Sequence, residues 1–220
     1  MTDGDLIAAQ RGHWQRTYRA HPEMYGLDAS DPAQHAIKLC QDEELRHVLE
    51  LGAGQGRDTL AFLRAGRTVT ALDFAPDGVA AIRDQATAAG LHARLDARVH
   101  DAREPLPLPD SSVDAVYSHM LLCMAFTTTE LDGIASEIRR VLRPGGWHVY
   151  TVRHTGDAHY RAGTPHGDNR WENGGFVVHF FDRALVDRLA AGLRLTEIAE
   201  FEEGELPRRL WRITLRKPEG

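Results

Sequence analysis

An apolar run, His47-Val48-Leu49-Glu50-Leu51, stops at a turn holding three glycines in five residues, Gly52, Gly54 and Gly56. A second apolar run, Val69-Thr70-Ala71-Leu72, stops at a carboxylate, Asp73. A parallel α/β sheet builds a nucleoside crevice in this way, at the carboxyl ends of its strands. Glycine lets backbone approach a ligand where a Cβ would collide. A carboxylate can accept hydrogen bonds from both hydroxyls of a ribose. A plain strand-to-helix turn needs fewer glycines than this. Asp73 also stands where an N-cap before Pro76 would stand, and the two roles are compatible.

The spacing narrows the ligand. A dinucleotide fold would show G-x-G-x-x-G, whose third glycine allows close packing of helix on strand. Here the spacing is G-x-G-x-G, and Arg57 takes the place of that third glycine. A nicotinamide-dependent oxidoreductase is disfavoured on that ground. A phosphate loop, G-x-x-x-x-G-K-[ST], is absent from the sequence.

Around this core, strands and helices alternate. Strands are predicted at 47–51, 68–73, 94–100, 113–118 and 147–152. Helices are predicted at 58–65, at 76–89 with Pro76 in its first turn and Gly90 beyond its end, and at 128–142 with Leu131, Ile134, Ile138 and Leu142 on one stripe. Residues 153–181 break the pattern and read as a long loop, which in a compact domain is a lid or a binding loop. Its aromatic residues Tyr160, Trp171, Phe176, Phe180 and Phe181 argue against disorder. A helix at 183–191 and two strands at 194–201 and 206–216 follow, the last pair reading as an antiparallel hairpin. The expected fold is α/β: a single doubly wound, mostly parallel sheet with helices on both faces and an antiparallel last strand.

Five stretches then carry a resemblance. Glu50-Leu51-Gly52-Ala53-Gly54-Gln55-Gly56, Asp73, Asp101-Ala102, the stretch Leu108-Pro109-Asp110-Ser111-Ser112-Val113-Asp114-Ala115-Val116 and the turn Leu142-Arg143-Pro144-Gly145-Gly146 resemble, in order, the motifs of class I S-adenosylmethionine-dependent methyltransferases. The opening segment, with Trp14, Tyr18 and Pro22-Glu23-Met24-Tyr25-Gly26, is similar to the cap of the tellurite-resistance and ubiquinone-biosynthesis types, which act on small molecules. The resemblance implies a seven-stranded Rossmann-like sheet, with residues 1–45 as a helical cap and 46–220 as the cofactor domain. It implies S-adenosyl-L-methionine as cofactor and S-adenosyl-L-homocysteine as product. Gly52, Ala53, Gly54 and Gly56 would border the methionine part, with Glu50 ordering the loop. Asp73 would hold the ribose, with Phe74 beside the adenine. Asp101 would accept from the adenine amino group, near Ala102, unless it serves only an Asx turn. Ser118 would lie near the sulfur. Arg57 would pair with the cofactor carboxylate or stay a helix surface residue.

The acceptor side is less defined. His119, at the end of a central strand, is expected as a general base or as a wall residue, since imidazole titrates near neutral pH. His154 and His179 are further candidate bases. Tyr18 and Tyr25 are expected to close over the methyl group, and Arg153 and Tyr160 to touch the acceptor. The spacings of His154, His159, His166 and His179 (five, seven and thirteen) match no metal motif, and no metal is expected. Two cysteines, Cys40 and Cys123, form no CxxC pair. A net charge of -6 disfavours sequence-independent nucleic-acid binding, and no apolar run approaches the ~20 residues of a membrane span. The expectation is a cytoplasmic monomer or homodimer acting on a small molecule, without a nucleic-acid or membrane partner. A protein that binds the cofactor or its product without turnover is the alternative.

Overall fold

The structure is a computed structural model that describes residues 3–21, 24, 26, 28–204 and 208–219. Two helices come first, α1 (Asp3–Ala20) and α2 (Asp31–Asp42). There follow β1 (His47–Leu51), α3 (Arg57–Arg64), β2 (Thr68–Asp73), α4 (Pro76–Ala88), β3 (Leu95–Val99), β4 (Val113–His119), α5 (Thr128–Val141) and β5 (Leu142–Arg153). The chain continues through β6 (Thr164–Pro165), β7 (Arg170–Asn173), β8 (Phe176–His179), α6 (Arg183–Leu189), β9 (Arg194–Glu203) and β10 (Arg208–Arg216).

Helix starts follow local chemistry. Ser30 caps α2 by accepting from the Ala33 N–H, and Thr127 and Glu130 form a reciprocal capping box on α5. Gly56, at φ 91°, opens α3, and Pro76 sits in the first turn of α4.

The main sheet has seven strands in the order β3-β2-β1-β4-β5-β10-β9. The pairs β3/β2, β2/β1, β1/β4 and β4/β5 are parallel, whereas β10 runs antiparallel to both β5 and β9. The seven-stranded sheet with an antiparallel last strand is therefore as the sequence predicts. The strand order reverses between β1 and β4, which opens a crevice at their carboxyl ends. One apolar layer, with Phe62, Ile82 and Val48, packs under α2, α3 and α4. The other, with Ile134, Ile138, Tyr150 and Phe181, packs under α5 and α6. Among the described residues no helix is long and apolar enough to cross a membrane.

Residues 153–181 are not the aperiodic loop expected. They fold into a separate antiparallel sheet, β6-β7-β8. Its strands of two and four residues are too short to display a period of two, and the Gly174-Gly175 turn joins the longer pair. α1 lies across the top of the molecule, touching α4 on one side and β8 on the other. It thereby bridges the carboxyl ends of the main sheet.

Candidate functional site

A cavity of about 660 Å³ opens at the reversal point, under α1. That is ample for a drug-sized ligand, since such sites run from roughly 300 to 1,000 Å³. Its floor on one side is the β1 and β2 ends: Gly52, Ala53, Gly54, Asp73 and Phe74, with Asp101 and Ala102 after β3. On the other side the wall turns apolar, with Met120, Leu121, Met124, Phe126, Phe176 and Val178. The lid is α1, through Ile7, Gln10, His13, Trp14 and Tyr18.

The glycine loop is built around Asp73. Gly54 has φ +56°, and a Cβ there would stand 3.1 Å from the Tyr18 hydroxyl. The Gly54 N–H donates to Asp73 Oδ2 at 2.8 Å, and the Ala75 N–H donates to Oδ1 at 2.8 Å. Asp73 thus ties the loop to the start of α4 and still keeps accepting capacity toward the cavity. Burial pushes its carboxyl up to about 6, against the opposing hydrogen bonds from Ala75, Gly54 and Phe74. Gly78 brings α4 against this loop: a Cβ there would meet the Gly54 carbonyl oxygen at 2.4 Å. Nothing in the sequence marks Gly78, because inside a helix a glycine signals nothing until its neighbour is known.

Beside the loop lies a buried acidic pair. Glu50 accepts from the Thr59 hydroxyl, and burial, then the charge of Asp58, raises its carboxyl well above the usual range. Asp58 accepts from the Ser30 N–H at 2.9 Å, the Ser30 hydroxyl at 2.8 Å and the Tyr117 hydroxyl at 2.8 Å. Arg57 Nε donates to it at 3.0 Å. Burial alone would raise Asp58, but Arg57 and these donors outweigh it and hold the carboxyl low. Arg57 lines the cavity, so it is not merely a helix surface residue. Asp101 is gripped by Arg103, at 2.6 Å in the closest contact, which overrides its partial burial and keeps it ionised.

The acceptor half holds His119, Arg153 and a carboxylate the sequence did not single out, Glu203. His119 Nδ1 lies 2.8 Å from Thr151 Oγ1, and its Nε2 lies 3.3 Å from Glu203 Oε1. Arg153 donates twice to Asp157, at 3.0 and 2.6 Å, and contacts His159. Gln10 holds the lid down. Its amide donates to the Val177 carbonyl at 2.6 Å and accepts from the Ala125 N–H at 3.1 Å.

Several sequence-selected residues stand elsewhere. His154 is buried, stacked on Trp211 at 4.4 Å, with Nδ1 accepting from the Gly156 N–H. His179 donates from Nδ1 to the Phe126 carbonyl at 2.8 Å, and burial pushes its imidazole down. Neither lines the cavity, so neither is placed as a base. Tyr160 donates to Asn169 at 3.0 Å, outside the cavity. Ser118 is fully buried within β4 and does not reach the cavity. Gly56 likewise faces away: a Cβ there would meet Ile82 at 2.8 Å. Tyr25 lies outside the described residues. Among the described residues, no three His, Cys, Asp or Glu side chains gather as a metal-ligand set.

Comparison with known proteins agrees with this geometry. The family model for the methyltransferase domain matches residues 48–146. The fatty-acid O-methyltransferase of Mycolicibacterium smegmatis is 34% identical over 166 residues, covering 69% of this chain and 54% of that protein. A probable S-adenosylmethionine-dependent methyltransferase of the same organism is 36% identical over 141 residues, covering 63% of this chain and 44% of that protein. The chain thus spans about half the length of the curated relatives it matches. In structure, the 1,6-didemethyltoxoflavin-N1-methyltransferase of Burkholderia thailandensis, solved with 1,6-didemethyltoxoflavin and S-adenosylhomocysteine, superposes with a TM-score of 0.75 at 18% identity. That match covers 99% of this chain and 91% of the other. Residues 48–146 thus match the methyltransferase domain, and the sheet that carries them has the fold of that structure.

Proposed function

We propose that this protein transfers the methyl group of S-adenosylmethionine to a small-molecule acceptor. One observation carries the reading. The crevice where Gly54 and Asp73 meet runs, as a single cavity, into an apolar chamber roofed by α1. A nucleoside-type site and a second, water-poor site therefore share one enclosure. The relative named for fatty-acid O-methylation and the neighbour named for 1,6-didemethyltoxoflavin N1-methylation support small-molecule acceptors.

The residues present fit the cofactor. Asp73 offers unspent lone pairs for ribose hydroxyls. Phe74 and Ala102 supply apolar contact for a purine, and Asp101 an ionised acceptor for its amino group. Gly52, Ala53 and Gly54 leave room for the methionine part, with Glu50 bracing α3 behind the loop. Arg57 supplies a cation for its carboxylate. When bound, the cofactor supplies a sulfonium methyl with a neutral thioether as leaving group. The chain's own task is then to align and to dry the site. Trp14 and Tyr18, stacked at 5.5 Å, roof the cavity, and Trp14 meets Phe176 edge-on at 5.8 Å. Residues 1–45 act as the cap, and the 153–181 segment walls the acceptor side through Arg153, Phe176 and Val178.

A thermal-shift panel tests this. S-adenosylhomocysteine at a hundred times its dissociation constant stabilises the folded state by about 2.7 kcal/mol. For a chain of this size that raises Tm by roughly 5–10 °C. NADPH is expected to leave Tm unchanged, and Asp73→Ala to abolish the shift. Stabilisation by NADPH in place of S-adenosylhomocysteine contradicts the proposal. Stabilisation without release of S-adenosylhomocysteine from S-adenosylmethionine across a broad acceptor library would favour a non-catalytic binder.

A further inference from the structure

Three strands deliver one polar chain to the acceptor half of the cavity. β4 ends at His119, β5 carries Thr151 and β9 ends at Glu203, with His119 and Glu203 both on the cavity wall. The Met120 N–H donates to Thr151 Oγ1 at 3.0 Å. Thr151 Oγ1 lies 2.8 Å from His119 Nδ1, and His119 Nε2 lies 3.3 Å from Glu203 Oε1.

The protonation pattern follows from these contacts. A ring nitrogen that faces an ionised carboxylate carries its hydrogen toward it, so Nε2 is a donor. Nδ1 then either accepts the Thr151 hydroxyl hydrogen, with a neutral ring, or donates to that oxygen, with a charged ring. Neither state leaves a lone pair on Nε2. The role of general base expected for His119 does not suit this geometry. Glu203 is different: it spends one accepting position on His119, and a carboxylate has about four. The other carboxylates that line the cavity among the described residues are either saturated with donors or committed to the nucleoside side. Asp58 has four donors, Asp101 is gripped by Arg103, Asp73 holds the glycine loop, and Glu50 is buried against Thr59.

Resting on the methyltransferase reading above, we infer that Glu203 receives a proton from the acceptor, held in position by His119 and Thr151. The acceptor atom is accordingly an oxygen or nitrogen that bears both hydrogen and a free electron pair, a hydroxyl or an amine N–H, and not a carboxylate. The acceptor atom gives its electron pair to the methyl carbon. The carbon–sulfur pair leaves with sulfur as a thioether, and the acceptor's hydrogen passes as a proton to a Glu203 oxygen. His119 and Thr151 are positioning residues.

The charges around Glu203 set how it works. His119 from β4, Arg57 from α3 and Arg208 from β10 face it, and Asp58 from α3 faces His119. The hydrogen bond from His119 holds the Glu203 carboxyl below its ordinary range, against partial burial and with help from the charges of His119, Arg57 and Arg208. So weak a base does not strip a neutral hydroxyl in advance. It receives the proton as the acceptor atom bonds to carbon, when that hydrogen becomes strongly acidic. Trp14, Met124, Phe126 and Phe176 provide the apolar surface against which a flat acceptor would lie.

Two measurements on the full chain test the inference. The first is nitrogen-15 NMR of the imidazoles with S-adenosylhomocysteine present. It is expected to show His119 protonated at Nε2 throughout pH 5.5–8, with Thr151→Val shifting the Nδ1 signal. A bare Nε2 at pH 8 overturns the inference. The second uses 2-naphthol, 2-naphthylamine and dodecanoate as hydroxyl, amine N–H and carboxylate probes. Turnover of a hydroxyl or N–H probe is expected, with kcat flat over pH 5.5–8 at saturating S-adenosylmethionine. Glu203→Gln should lower kcat about a hundredfold with KM within twofold, Glu203→Asp should recover part, and both should bind S-adenosylhomocysteine as the parent does. Turnover of dodecanoate alone, turnover of no probe, full kcat in Glu203→Gln, or a pH inflection in kcat abolished by His119→Gln each overturns it. Absence of S-adenosylhomocysteine binding in the parent instead strikes the methyltransferase reading itself.

Discussion

Asp73 is a buried carboxylate with two jobs. It organises the glycine loop through the Gly54 and Ala75 N–H groups, and it faces the cavity. Burial, opposed by those donors, raises its carboxyl from 3.8 to about 6. The sign follows. In the unfolded chain it ionises near 3.8, so the folded state bears the cost of the buried charge as pH rises from there through about 6. Ribose hydroxyls donate more strongly to the ionised form, whose two oxygens share the negative charge, and lower its pKa when bound. Affinity for S-adenosylhomocysteine is therefore full above pH 6 and lost below it, by about tenfold between pH 7.5 and pH 5. Calorimetric titration at those two pH values checks this, with Asp73→Asn expected to be weak and pH-independent. Equal affinity in the unsubstituted protein would refute the assignment. Residues such as Gly52, Gly54, Asp73 and Asp101 were legible in the sequence because each sits where a strand ends, and strand ends can be read locally. Glu203 was not, since its partner His119 lies on another strand and nothing near Glu203 in sequence points to it. The sequence sets His119 at a strand end, but its neighbours Thr151 and Glu203 stand on other strands, which only the fold brings together.

Among the elements, α1 shows how a lid is fastened. Its middle is held by a buried amide, Gln10, flanked by Leu6 and Ile7 in the core and by the Trp14–Phe176 contact, and its end by Gln55, which donates to the Tyr18 carbonyl. Gln10→Ala would strand the Val177 carbonyl and the Ala125 N–H in a buried place. Each orphaned group costs about 1–3 kcal/mol. Hydrogen exchange in α1 should accelerate at least tenfold relative to the main sheet, and KM for the acceptor should rise, while exchange in β1 and β4 stays slow. Unchanged α1 protection would show that the aromatic contacts and Gln55 hold the lid without Gln10. The α1 and β8 residues that meet there are far apart in sequence. That is why the cap was recognisable as a helix while its fastening was not. The 153–181 segment escaped for another reason. Strands of two and four residues show no period, and the aromatic residues Trp171, Phe176 and Phe180 signalled order without a geometry.

On the scale of the whole molecule, strand order places the chemistry. β1 lies between β2 and β4, and every strand from β3 to β5 runs parallel, so their carboxyl ends share one rim. The alternation of strands and helices in the sequence made this sheet legible, as did the short β9–β10 connection that returns the last strand antiparallel. The distribution of polar groups along the rim was not legible, because it depends on side chains arriving from α1, β8 and β9. The proposed chemistry requires an adenosyl site in the crevice between the β1 and β2 ends. A crystal structure of the protein grown with S-adenosylhomocysteine measures this most directly. The predicted result places both ribose hydroxyls on Asp73, the purine against Phe74 and Ala102 with its amino group on Asp101, and the sulfur facing the chamber under Trp14. A ribose away from Asp73, or the ligand bound outside this cavity, would contradict it.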